Sequence, residues 1–200
     1  LDLVIMGFDP AFNSIAKIYN NVNGVFTDIS AGLTGATDSD CKWGDYDGDG
    51  DLDLVIAGLD DSFTNRIAKI YRNDGGGTFT DILAGLTGVD FASVDWGDYD
   101  NDGDLDLVVA GRHLFSPDFH STTIYRNDGS DVFTDIGASI IGVTDGSADW
   151  GDYDADGDLD LLITGFDDTT PVPGRHFTIY RNDAGSFVDI VAGLPGFGFS

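Results

Sequence analysis

The stretch Gly44-Asp45-Tyr46-Asp47-Gly48-Asp49-Gly50-Asp51-Leu52-Asp53-Leu54 decides how this chain is read. It recurs in register at Gly97–Leu107 and Gly151–Leu161, each time directly after a tryptophan: Trp43, Trp96 and Trp150. Asp45 to Asp98 is 53 residues and Asp98 to Asp152 is 54. Carboxylates at loop positions 1, 3 and 5 turn inward as the backbone coils, and the Gly at position 6 (Gly50, Gly103, Gly157) permits a sharp turn. Five Asp in nine residues repel one another strongly unless a cation sits among them.

Working outward, each copy runs into an apolar stretch ending in Gly: Leu52–Gly58, Leu105–Gly111 and Leu159–Gly165, with a fourth at Leu1–Gly7. An Ile-Tyr-Arg-Asn segment follows at Ile70–Asn73, Ile124–Asn127 and Ile179–Asn182, with Asn20 replacing Arg in Ile18–Asn21. A turn and a short strand close each unit: Phe79–Ile82, Phe133–Ile136 and Phe187–Ile190. Each repeat therefore reads as four short strands separated by Gly/Asp/Asn turns. A period near 50 with four strands per unit is the signature of a β-propeller blade. The expected fold is all-β, with three complete four-stranded antiparallel blades and one blade lacking its first strand. The expected division of 1–200 is an incomplete blade over 1–35, blades over 36–88, 89–142 and 143–196, and the start of a next repeat at 197–200. All length variation falls between the second and third strands, the arrangement of a rigid scaffold carrying variable loops.

Composition agrees. The 200 residues carry 36 acidic and 9 basic side chains, a formal charge of -27, and every acid is Asp, with no Glu or Gln. Asp and the 28 Gly favour turns and disfavour helices. The regular apolar runs argue against a disordered acidic chain, and the clustering of Asp argues against halophilic acidity. Such a charge repels nucleic acid and anionic membranes. Cys41, the only cysteine, excludes an intrachain disulfide and is read as a small packed residue. These residues contain no membrane-spanning run and no signal-type segment. The chain opens in mid-motif at Leu1, so any targeting segment is expected to lie outside it.

The loops follow the first half of the EF-hand ligand pattern. Position 12 is Ile56, Val109 or Ile163 instead of Glu, so closure is assigned to position 9: Asp53, Asp106 and Asp160. A multi-carboxylate cage with a backbone carbonyl suits Ca²⁺ better than Mg²⁺. Asp2 matches position 9 of a fourth loop whose first eight residues are absent from these 200.

These loops and the strands after them resemble the FG-GAP/VCBS repeat family, which includes the integrin α-subunit propeller and similar repeats in bacterial surface proteins and fungal lectins. The resemblance implies a calcium-binding propeller. Side-chain ligands are Asp45, Asp47, Asp49 and Asp53, then Asp98, Asp100, Asp102 and Asp106, then Asp152, Asp154, Asp156 and Asp160. The carbonyls of Asp51, Asp104 and Asp158 complete three sites. It also implies ligand contact on the face opposite the metals, or between blades, and a secreted or cell-surface location.

Candidate ligand contacts are the residues of the variable connections: Arg112, His113, Phe115, His120, Arg175 and His176, with Phe119 nearby. The three Trp, by contrast, are read as packing between blades, and Arg72, Arg126 and Arg181 as structural partners of nearby Asp. No Gly-x-Ser-x-Gly and no phosphate-cradling loop is present, and calcium-engaged carboxylates make poor general bases. The expectation is a binding module and not an enzyme, with a variable-loop Asp (Asp60, Asp61, Asp118, Asp167 or Asp168) as the glycosidase or lyase alternative. Adhesion to a protein or glycan, lectin-like binding, and structural stiffening of an extracellular assembly are the binding alternatives. Joining Ser200 to Leu1 would omit a counterpart of Ser93–Asp104, so a slice of a longer propeller, or a part completed by another copy, is expected.

Overall fold

The continuous apolar run after each acidic loop (Leu54–Ala57, Leu107–Ala110, Leu161–Ile163) dictates a strand buried on both faces. In a computed structural model, which describes residues 2–113, 119–167 and 174–191, these strands form four antiparallel sheets, with no helix among the described residues. The first sheet contains β1 (Leu3–Phe8), β2 (Ser14–Val22) and β3 (Val25–Asp28). The second contains β4 (Thr37–Gly44), β5 (Asp53–Leu59), β6 (Arg66–Asn73) and β7 (Phe79–Asp81). The third contains β8 (Asp90–Gly97), β9 (Asp106–Arg112), β10 (His120–Asn127) and β11 (Phe133–Asp135). The fourth contains β12 (Thr144–Gly151), β13 (Asp160–Asp167), β14 (Gly174–Asp183) and β15 (Ser186–Asp189). Each sheet is a meander in chain order. The strand count of every sheet is the one expected from the repeat.

The sheets stack in chain order, and each seam has its own apolar layer. Leu54 and Ile56 of β5 face the first sheet with Ile18 and Ile67. Val55 and Ala57 face the third with Val94, Leu107 and Val109. Val108 and Ala110 face the fourth with Ala148, Leu161 and Ile163. One strand thus supplies two seams by period-two alternation. Among the described residues the row does not close into a ring.

The Gly one or two residues before the end of the second strand is sterically required in the three four-stranded sheets. At Gly58 (φ 157°) a Cβ would lie 2.4 Å from the Ser39 Cβ, and at Gly111 (φ 153°) 2.8 Å from the Asp90 carbonyl oxygen. Opposite it the first strand carries an irregularity, between Thr37 and Asp40, Asp90 and Ser93, or Thr144 and Ser147. Asp38, Phe91 and Asp145 hold positive φ there, as at a β-bulge.

Candidate metal centres and the opposite rim

Each acidic loop joins the first two strands of its sheet. Gly50, Gly103 and Gly157 adopt φ of 95°, 98° and 100°, a conformation open essentially to Gly alone. Position 4 is also left-handed, as Gly48, Asn101 and Ala155. The Asp at position 1 ties the turn: Asp45, Asp98 and Asp152 accept from the Gly N–H at 3.1, 3.1 and 3.2 Å.

The structure gathers positions 1, 3 and 9. Asp45, Asp47 and Asp53 place one carboxylate oxygen each within 4.8 Å of one another, as do Asp98, Asp100, Asp106 and Asp152, Asp154, Asp160. Positions 5 and 7 stand outside these triads. At position 5, Asp49, Asp102 and Asp156 accept instead from the position-7 N–H of Asp51, Asp104 and Asp158 at 2.8, 3.0 and 3.0 Å.

Position 9 is held from both sides. Asp53 accepts from Tyr46 N–H (3.1 Å) and Asn73 N–H (2.8 Å). Asp106 accepts from Tyr99 and Asn127, and Asp160 from Tyr153 and Asn182. Asp53 and Asp106 are fully buried. Burial pushes Asp53 up to about 6 and Asp106 up to about 7, against the lowering effect of their backbone hydrogen bonds, and nearby loop carboxylates add to the rise. Asp47, Asp100 and Asp154 are raised too, by desolvation first and by neighbouring Asp.

The residues fit a hard divalent cation. Every donor is an oxygen, and the spacing matches oxygens that share an ion at 2.3–2.6 Å. Asp45 Oδ1 is buried and accepts no hydrogen bond, which is the chemistry of an oxygen that can serve as a cation ligand.

The loops also lock the sheets together. Tyr46 stacks on Trp96 of the next sheet (6.1 Å, 11°) and meets Phe133 edge-on (5.6 Å). Tyr99 repeats this with Trp150 and Phe187. Asn127 Nδ2 donates to the Tyr46 carbonyl (2.9 Å), and Asn182 Nδ2 to that of Tyr99 (2.7 Å). The tryptophans expected to pack between blades therefore lie between sheets, while the roles of Tyr46, Tyr99 and the Asn escaped sequence reasoning. Their signal was present as the recurring Asp-Tyr-Asp and Tyr-Arg-Asn. Arg72, Arg126 and Arg181 do pair locally, with Asp74, Asp128 and Asp183, and Arg72 also reaches Asp131 at 2.7 Å. Cys41 packs in the first seam, and burial pushes its thiol up to about 11.

The candidate ligand contacts lie at the opposite strand ends, where the structure distributes them between seams. Arg112 makes a two-pronged bridge to buried Asp90 (2.9 and 2.8 Å) and lies 4.7 Å over the Phe91 ring. Arg66 of the preceding sheet joins the same carboxylate at 3.0 Å. Burial would raise Asp90, but the two guanidinium groups outweigh it and hold the carboxyl below its ordinary value. In the next seam His120 Nδ1 lies 4.0 Å and His176 Nε2 3.8 Å from the buried carboxylate of Asp167. Arg175 and His176 line a cavity of about 540 Å³ with Asp145, Phe166 and Phe177. His113 N–H donates to the Phe119 carbonyl at 2.8 Å. Phe115, Asp118 and Asp168 lie outside the described residues.

Fold and loops together define an all-β repeat protein of stacked antiparallel sheets, in which each of the three four-stranded sheets presents an acidic, metal-competent hairpin. The family model described as FG-GAP-like repeat matches residues 45–109. The matched stretch contains two of the three acidic loops. Among curated proteins, none matches the chain.

Proposed function

We propose that these residues form blades of a calcium-binding β-propeller, an extracellular module that recognises a protein or glycan. The observation that carries the reading is the threefold recurrence of one Asp triad, each built around a buried position-9 carboxylate. The FG-GAP-like repeat at 45–109 supports an integrin-like propeller and an extracellular setting. The boundaries at 35/36, 88/89, 142/143 and 196/197 are proposed as blade limits.

Asp45, Asp47 and Asp53, and their counterparts, would hold Ca²⁺ directly, with Asp49, Asp102 and Asp156 and the carbonyls of Asp51, Asp104 and Asp158 completing the shell. The ion supplies compensating charge; it performs no reaction. The chain's own residues do the positioning: Tyr46 and Asn73 orient Asp53 through their N–H groups. Since Tyr46 also anchors the next sheet, metal occupancy and sheet stacking are coupled through one residue. Recognition is assigned to the opposite rim, at the cavity bearing Arg175 and His176. This is the reading of a binder and not an enzyme.

Isothermal titration with Ca²⁺ tests it: three sites per chain are expected, at dissociation constants of about 0.1–1 mM for an extracellular module. No heat at millimolar Ca²⁺, with no change in melting on EDTA addition, refutes the metal reading. A glycan array and a pull-down from cell-surface extracts address the ligand.

A further inference from the structure

On the rim opposite the acidic loops, two connections share one design. Residues 9–13 join β1 to β2, and residues 60–65 join β5 to β6. Each opens on an Asp whose carboxylate ties the loop shut. Asp9 accepts from the N–H groups of Ala11 (2.8 Å) and Asn13 (2.9 Å) and from Asn13 Nδ2 (2.9 Å). Asp60 accepts from the Ser62 N–H (2.9 Å) and from Asn65 Nδ2 (2.9 Å). In both loops a Phe N–H returns to the Asp carbonyl, Phe12 to Asp9 at 2.9 Å and Phe63 to Asp60 at 3.1 Å. Each loop thereby fixes a Phe in the left-handed region, at φ 64° for Phe12 and 55° for Phe63. A bulky side chain is strained there.

The strain brings the rings no burial, since Phe12 is 78% exposed and Phe63 51%. Phe8 links them. Its ring stacks on that of Phe63 across the first seam (5.8 Å, 28°) and lies 6.5 Å from that of Phe12. The result is an aromatic ledge carried on two stiff loops of neighbouring sheets. Strain held at solvent-facing apolar rings points to binding. The charge around the ledge selects its occupant. The two loops contribute Asp9, Asp60 and Asp61 and no Lys or Arg. Hydrogen bonds from the Asn13 side chain and backbone hold the Asp9 carboxyl below its ordinary value. Burial would raise Asp60, but the bonds from Ser62 and Asn65 outweigh it and lower it. Arg66, next in the chain, is turned to Asp90 in the second seam (3.0 Å). The chain also shows what fits such a ring. Phe91, left-handed at φ 47°, carries a guanidinium, with Arg112 4.7 Å over its centre. Among the described residues no guanidinium covers Phe12 or Phe63.

We propose that the ledge of Phe12 and Phe63 is a docking surface for a basic segment of a partner protein. Arg side chains of that segment lie over the two exposed rings by cation–π contact, as Arg112 lies over Phe91. Asp9, Asp60 and Asp61 supply complementary negative charge, and a chain of formal charge -27 steers the basic segment towards it. The stiff loops hold the rings in place beforehand, so little freedom is lost on docking. The ledge is separate from the cavity bearing Arg175 and His176 and from the acidic loops. It stands whether or not those loops hold calcium.

The test is fluorescence anisotropy with the 200-residue chain and a fluorescein-labelled peptide of four Arg-Ser repeats, at physiological salt and millimolar Ca²⁺. Saturable binding is expected. The double variant Phe12→Gly/Phe63→Gly should bind about tenfold more weakly, as for the loss of two exposed cation–π contacts. Gly takes the left-handed conformation without strain, so the same variant should melt within a few degrees of the wild type. A peptide with citrulline in place of Arg keeps the planar group without the charge and should not bind. No saturable binding overturns the proposal. Binding that the double variant leaves unchanged places the peptide on the acidic loops and also overturns it. So does equal binding of the citrulline peptide. A larger fall in melting temperature assigns the rings to packing, against the proposal. If the peptide fails to bind while the double variant abolishes a neutral-glycan array signal or self-association in sedimentation, the ledge belongs to a sugar or to a second copy instead. A tenfold difference that persists in EDTA supports the ledge even where calcium titration fails.

Discussion

Removing calcium should leave a protein that becomes less stable as pH rises from 5.5 to 8. In the metal-free fold Asp53 and Asp106, both fully buried, have carboxyls raised from 3.8 to about 6 and about 7. A carboxyl raised on folding binds its proton more tightly in the native state. Its stabilising contribution is complete below the unfolded value and is lost as pH climbs through the folded one. Between pH 5.5 and 8 linkage gives a loss of about 2 kcal/mol from Asp106 and about 1 kcal/mol from Asp53, at most about 3 kcal/mol together. For a chain of this size that is roughly 6–12 °C in melting temperature. Bound calcium requires the same carboxylates ionised, so metal stabilisation should grow over the same pH range and offset the loss. The assay is scanning calorimetry at both pH values, in EDTA and in millimolar Ca²⁺. A His120→Gln/His176→Gln variant run alongside should keep the slope, which assigns it to the carboxylates. A metal-free melting temperature that is flat or rises between pH 5.5 and 8 would refute the reasoning.

Three further outcomes follow from the same geometry. Asp47→Ala should reduce calcium stoichiometry from three to two in titration calorimetry, yet change stability in EDTA by no more than about 0.5 kcal/mol, because Asp47 is exposed. Trp96→Ala should cost about 3–5 kcal/mol in urea unfolding, since the indole stacks on Tyr46 and packs against Phe133. Asp90→Ala strands Arg66 and Arg112 and should cost about 3–5 kcal/mol. In the wild type the Asp90 bridge is fully present above pH 3.8 and lost only as pH falls through its lowered folded value, which calorimetry of the Asp90→Ala variant between pH 3 and 6 should reveal as a narrowing difference.

Much of this was legible in the sequence because it is local. The strand count, the turn glycines and the acidic loops all arise within about ten residues, where Asp and Gly dictate the backbone path. The pairing of Arg72 with Asp74 is of the same kind, two residues apart on one strand end. Position 5 shows the limit even there. Its spacing equals that of positions 1 and 3, yet Asp49 accepts a backbone N–H of its own turn and stands outside the triad.

Sequence alone determined an all-β repeat with three acidic hairpins, since each unit's apolar run and turn residues are self-sufficient. Only the tertiary structure decided what joins the units. Asn127 reaches the Tyr46 carbonyl across 81 positions, and Asp131 receives Tyr46 and Arg72 across 85 and 59. Such contacts depend on how one twisted sheet is rotated over the next, and no residue spacing encodes that angle.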